Sequence, residues 1–332
     1  MRLFNKFTLN IGILCAFFCL LANNSAHAVD RIVQELGPTG TFSSITAAVN
    51  AASDGDRIII FNRAGGLPWQ ENVTVGKSLV FLPAIDGVRF LVIGDWTIAP
   101  TAPGKMVRII GMENLGGDIK ANSTAPAGIR TQVEIAGCDI TGDIEFDQNY
   151  FDMTVASNRV REGSTGFDGS ILLRYGNVYG NTVDAQIFMN SDAIPANTIF
   201  DIIDTTSSHI LWNSDAYFFR ISNNNIRYVT TTTGRALDIN NVKNSAVEVN
   251  NVENNSIFVS SNTNFVSVYA IEFSNVNAPN ATINALNNAM SWSGSTSPTT
   301  RGMFASTSAT YSLFAAYNHV STSFDFELDG IA

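Results

Sequence analysis

The chain has 332 residues, 45% hydrophobic and 14% charged, with 19 Lys and Arg against 29 Asp and Glu for a net charge of −10. That balance excludes nucleic acid and anionic membrane surfaces as partners, because both are met through basic patches. Three Cys and three His also leave little material for a disulfide framework, a histidine zinc site or a Ser/His triad.

Arg2 and Lys6 precede an apolar run from Ile11 to Leu21, and Ser25-Ala26-His27-Ala28 follows as a small-residue cleavage site. Together they make the tripartite pattern of a secretory signal over residues 1–28. The run is well short of the ~20 residues a membrane-spanning helix needs, so the expectation is cleavage after Ala28 without membrane insertion. The product would be exported to the periplasm, the cell surface or the medium. Cleavage removes Cys15 and Cys19, leaves Cys138 alone, and moves the net charge to −12, with 17 basic residues against 29 acidic. No intrachain disulfide is then possible, and the fold must rest on its apolar core.

Residues 29–55 read as an amino-terminal cap. Ser43 or Ser44 can cap a short helix whose Ile45, Ala48, Val49 and Ala52 share one face, and Ser53-Asp54-Gly55-Asp56 ends it. Arg57–Phe61 follows as a buried strand, then Glu71–Val75 and Lys77–Leu82, so one helix gives way to strands alone. This stretch, from Thr41-Phe42-Ser43-Ser44 through Gly65-Gly66-Leu67-Pro68-Trp69-Gln70-Glu71 to Pro83, resembles the cap and first coil of pectin-lyase-like right-handed parallel β-helices. Trp69 stands where that family usually has Tyr. The resemblance implies a fold shared by lyases, hydrolases, esterases and proteins without activity, and it names no chemistry.

Residues 56–332 support the same fold independently. Short alternating apolar runs end on an Asn or Asp turn at Asn114, Asp139, Asn158, Asn181, Asp204, Asn225, Asn255, Asn288 and Asn318, and five successive early intervals fall between 19 and 25 residues. A coil of about 22 residues accommodates three short strands joined by bends, the unit of a β-helical solenoid. Asn suits the bends because it tolerates left-handed backbone, and Asn stacked on Asn from coil to coil makes a hydrogen-bonded ladder. The expected architecture is an all-β, single right-handed parallel β-helix with a short amino-terminal capping helix.

For chemistry, Asp143-Ile144-Glu145-Phe146-Asp147 places three carboxylates on the outer side of one strand. One coil on come Arg159, Arg161 and Glu162, and a further coil on Asp184. Polysaccharide lyases of the resembled family hold calcium on carboxylates of neighbouring coils while an Arg or Lys takes the proton. The resemblance therefore implies Arg161 as base with Asp143, Glu145 and Asp147 as calcium ligands. Against this stand water-facing charge as the ordinary reason for such a pattern and the lack of the hydrolase and methylesterase signatures. Trp69, Tyr150, Tyr175 and Trp212 are candidate sugar-stacking rings, with core packing as the competing role. His209 and His319 read as turn or surface residues. Two functions remain open: an exported β-helix that binds polysaccharide or serves an adhesive or structural role, with end-to-end self-association of rods, and a calcium-assisted lyase acting on an acidic glycan.

Overall fold

The computed structural model describes residues 28–122, 129–148, 150–163, 169–191, 199–214, 218–230, 233–240, 249–261, 267–274, 282–294, 299–305, 312–320 and 325–328. The expected signal, residues 1–27 and the bond after Ala28, therefore lies outside the described residues apart from Ala28 itself.

Alternating sequences become strands buried on one side. In Thr131–Ala136, Thr131, Val133 and Ile135 point inward and Gln132 and Glu134 outward. The chain passes from there to Asp139–Thr141, then to Ile144–Phe146, and returns as Phe151–Ala156 in parallel register beside its own start. Repetition of this path builds three parallel sheets. Sheet A has twelve strands, from Asp30–Val33 to Ser312–Ala316; sheet B has eleven, from Trp69–Gln70 to His319–Val320; sheet C has eleven, from Val73–Val75 to Asp325–Leu328. The protein is a parallel β-helix, and eleven strands at ~4.8 Å spacing stack to ~50 Å.

In-register pairing aligns the core into columns. On sheet C, Val73, Trp96, Ile119, Ile144, Ile171, Ile187, Ile210, Leu237, Ile271 and Met303 occupy equivalent positions in successive coils, and all are buried. Each such side chain contributes about 1.5–3 kcal/mol of transfer free energy. Aromatic rings fill the wider layers: Trp212 lies between Phe200 and Phe219 at 5.8 and 5.0 Å, and Phe81 meets Trp96 edge-on at 4.9 Å.

The A–B corner is tight and repeats. A residue in left-handed backbone, such as Ser157, Gly180, Asn223, Asn254 or Asn287, precedes a buried polar one whose side chain accepts the backbone N–H of the coil before. The chain of acceptors runs from Asn158 to Asn181, Thr205, Asn224, Asn255, Asn288 and Asn318 at 2.8–3.4 Å. This is the expected ladder, with four corrections. Its members at three coils are Cys138, Thr205 and Asn224, each one residue from the expected Asp139, Asp204 and Asn225. Asn114 belongs to the opposite corner, where its amide donates to Gly94 O and Gly117 O.

The cap holds helix α1, Ile45–Ala51, with Ser44 Oγ accepting Ala47 N–H at 3.0 Å and Ile45, Ala48 and Val49 facing the core. Both carboxylate oxygens of Glu71 accept the N–H groups of Ile45 and Thr46 at 2.9 Å. Lys77 Nζ donates to the carbonyls of Val49, Asn50 and Ala52 at the other end, at 3.0, 2.9 and 2.6 Å. Opposite charges thus meet the two ends of the helix dipole. The cap also supplies the strand Asp30–Val33, which starts sheet A against Arg57–Ile60 and which the helix-only reading of residues 29–55 lacked.

Candidate functional site

The B–C corner explains the carboxylates singled out by the sequence. Gly94-Asp95, Gly117-Asp118, Gly142-Asp143 and Gly169-Ser170 turn four successive coils there. The first three glycines have φ of 137°, 138° and 151°, and a Cβ on any of them would lie 2.3–2.5 Å from backbone of the coil before. Coils approach this closely only through glycine. Each following side chain then accepts the N–H of the next coil's equivalent residue: Asn72 from Asp95 at 2.9 Å, Asp95 from Asp118 at 3.1 Å, Asp118 from Asp143 at 3.1 Å and Asp143 from Ser170 at 2.7 Å. Lys120 supplies positive charge beside this column, 2.6 Å from Asp95 and 3.7 Å from Asp118. Burial pushes the Asp95 carboxyl up, but the Lys120 and Asp118 N–H bonds outweigh it and hold Asp95 below the usual carboxylate range.

Asp143 is thus the last carboxylate in a structural ladder. Glu145 is exposed in the strand Ile144–Phe146, beside Lys120 in register, and Asp147 Oδ1 is buried with no partner among the described residues. Positions two apart in extended backbone are separated by ~6.6 Å. Among the described residues no group of three or more His, Cys, Asp or Glu sits so as to hold a metal ion. Asp143, Glu145 and Asp147 therefore do not fit the calcium site that the sequence pattern implied.

Arg161 lies on sheet B, where its guanidinium is 2.7 Å from Asp139 Oδ1, and Arg89 stands 3.8 Å from the same carboxylate. Its charge is committed to the coil before rather than directed at the carboxylates of sheet C. The aromatic candidates also need correction. Trp212 shares the inward parity of Ile210, and its ring is packed among core aromatics. Trp69 is buried and donates Nε1–H to Phe61 O at 2.8 Å. Tyr175 is buried, with the Arg130 guanidinium 3.6 Å over its ring. Tyr150 is half-buried against the core. Trp69, Tyr175 and Trp212, covered in these ways, offer no open face to a sugar.

Two features that sequence reasoning missed are more open. The first is a row of polar residues at the outward positions of sheet A, in register over eight coils, with Asp201 itself buried: Arg108, Glu134, Thr154, Asn177, Asp201, Arg220, Asn251 and Asn284. Arg108 pairs with Glu134 at 2.6 Å and Arg220 with Asp201 at 2.9 Å, while Asn284 donates to Asn251 at 3.2 Å. Tyr179 donates its hydroxyl to Asp201 at 2.9 Å. Burial and that neighbouring carboxylate push the Tyr179 hydroxyl up to about 12. A depression of about 460 Å³ runs beside the lower part of the row, bounded by Arg108, Gln132, Glu134, Asp152 and Asn177.

The second is a cavity of about 440 Å³ at the B–C corner, above the point where the Asp ladder stops, with Glu162, Ser170, Asp184, Gln186, His209 and Tyr228 among its walls. Contrary to its reading as a turn or surface residue, His209 is largely enclosed. Burial, then the field of Arg235, push its imidazole down to about 4. Its Nε2 and the Ser170 Oγ are buried and have no hydrogen-bond partner among the described residues. A larger cleft of about 890 Å³, lined by Asn62, Asp86, Arg89 and Glu113, lies on the A–B side, where Arg89 donates to Gly137 O at 2.9 Å.

Comparison of the chain with family models, with curated proteins and with solved structures found no match. Among the described residues no helix is long and apolar enough to cross a membrane.

Proposed function

We propose that this chain is an exported β-helix of the pectin-lyase-like kind that binds polysaccharide along sheet A in an adhesive or structural role. The resemblance of its cap and first coil supports the family, and the charged amino-terminal segment supports export. The observation that carries polysaccharide binding is the sheet A row. Donors and acceptors recur there at the ~4.8 Å coil spacing beside a shallow depression, a repeating counterpart for a chain of hydroxyl-bearing rings. The last strands of the three sheets, Ser312–Ala316, His319–Val320 and Asp325–Leu328, have a partner on one side only among the described residues, and that end is where rods in an adhesive assembly would meet. The calcium-assisted lyase reading finds no comparable support, since Arg161 and Asp143 both serve bonds between coils.

Affinity electrophoresis of the full chain through gels containing neutral, acidic and amino-bearing polysaccharides tests the proposal. At least one glycan should retard the protein, and the pair Glu134→Ala with Asn177→Ala should weaken that retardation several-fold. Free migration through every gel, or retardation untouched by the pair, would overturn it.

A further inference from the structure

The corner cavity has a definite chemical character. Glu162 and Asp184 bring two exposed carboxylates to its rim, and among the described residues its walls contain no Lys or Arg. Asp184 Oδ2 accepts the Glu162 N–H at 3.3 Å, which leaves its other oxygen for a ligand. Arg235, the cation whose field reaches His209, is itself held between Glu272 and Asp238. The cavity therefore carries net negative charge within a chain of net charge −10. An anionic sugar such as a uronate would meet two like charges there, and a cation would be drawn in.

Deeper in the cavity the groups are neutral. Ser170 is 98% buried, and its Oγ, like Nε2 of His209, lacks a partner among the described residues. Buried polar groups of this kind are costly unless a ligand or solvent atom meets them. Gln186 adds an amide, and the Tyr228 ring leans on His209 with centroids 5.5 Å apart, providing an aromatic surface for the apolar side of a sugar or for a positive charge. A divalent cation is a poor occupant, since no three acidic or histidine side chains converge among the described residues.

We propose that this cavity is a subsite for a protonated amino sugar, with the ammonium group between Glu162 and Asp184 and the ring hydroxyls directed to Ser170, Gln186 and His209. An ammonium carries three donors and no acceptor, which two carboxylates satisfy, and the hydroxyls supply what the buried Ser and His lack. The inference rests on the polysaccharide reading above and names the sugar class within it. It assigns a glycan opposite in charge to the uronates of the lyase reading.

Titration calorimetry of the full chain with a fully deacetylated glucosamine oligomer, its N-acetylated counterpart and an oligogalacturonate, at mildly acidic pH, tests it. The deacetylated oligomer should bind and the other two should not. Glu162→Gln together with Asp184→Asn should weaken binding about tenfold or more, and Ser170→Ala should weaken it less. Glu145→Gln, which removes one surface charge elsewhere, should leave it unchanged. Equal binding of the N-acetylated oligomer, or a deacetylated oligomer that binds the double variant as tightly as the parent, overturns the subsite. If none of the three binds while another glycan still retards the protein through sheet A, the subsite fails and the broader reading stands; if no glycan is retained at all, both fail.

Discussion

Two corners of this β-helix solve the same problem with different chemistry. Each must satisfy a backbone N–H where the chain bends, and each does so with a side chain from the adjacent coil. At the A–B corner the acceptors are mostly Asn, whose amide also donates, so that Asn224, Asn255 and Asn288 bond both to one another and to backbone carbonyls while buried. At the B–C corner the acceptors after Asn72 are Asp, which cannot donate and need Lys120 or solvent to offset their charge. Backbone geometry differs as well. Near φ of 55° the A–B corner admits Ser, Asp, Asn and Tyr, whereas φ near 140° against a neighbouring backbone admits only Gly. A neutral ladder can therefore run to Asn318, while the charged one stops at Ser170, beside the cavity.

The comparison breaks most sharply at Asn255. Asn255→Ala strands the Asn224 N–H and the Ile221 carbonyl inside the core, and urea unfolding should report a loss of about 4 kcal/mol. Gly117→Ala forces a Cβ to within 2.5 Å of the Gly94 carbonyl, and the same measurement should show about 3 kcal/mol. His209, at the edge of the charged corner, should make stability depend on pH. Its imidazole titrates near 4 when folded and near 6.5 when free, so in that window the unfolded chain binds the proton that the folded one refuses. Stability is lost as pH falls from 6.5 towards 4. Melting of His209→Gln across this window should lack that component, on the order of 3 kcal/mol. The smallest effect is expected at Gly180, where φ is 60° and a Cβ would rest 3.7 Å from Ser157 Oγ. Gly180→Asn should change stability by no more than about 0.5 kcal/mol, because Asn already holds that conformation in later coils.

The coil period was legible because the A–B corner is short and its ladder residue is Asn in most coils. Its phase was less so, since the left-handed residue and the ladder residue are adjacent and often both Asn, as in Asn223-Asn224, Asn254-Asn255 and Asn287-Asn288. Asp204 is the left-handed neighbour of Thr205, whereas Asp139 and Asn225 lie one residue past the ladder members Cys138 and Asn224. The second ladder is also written in the sequence, as Gly-Asp at positions 94, 117 and 142, but Asp143, Glu145 and Asp147 alternate along one strand in a pattern that a metal site would share. Parity misplaces an aromatic candidate where the strand is ambiguous: Trp212 lies between Leu211 and Asn213 in a strand that can face either way until its register is known. The sheet A row and the corner cavity depend on which residues of coils of unequal length come level, and no local pattern encodes that.

The helix α1, tied down by Glu71 and Lys77, closes one end of the rod and gives the molecule a mechanical direction. Each coil touches mainly its two neighbours, so tension applied at the far end is carried by one inter-coil seam at a time. Under such load the rod should peel turn by turn from its last coils, each step releasing a length of chain, and the clamped end should be the last to yield.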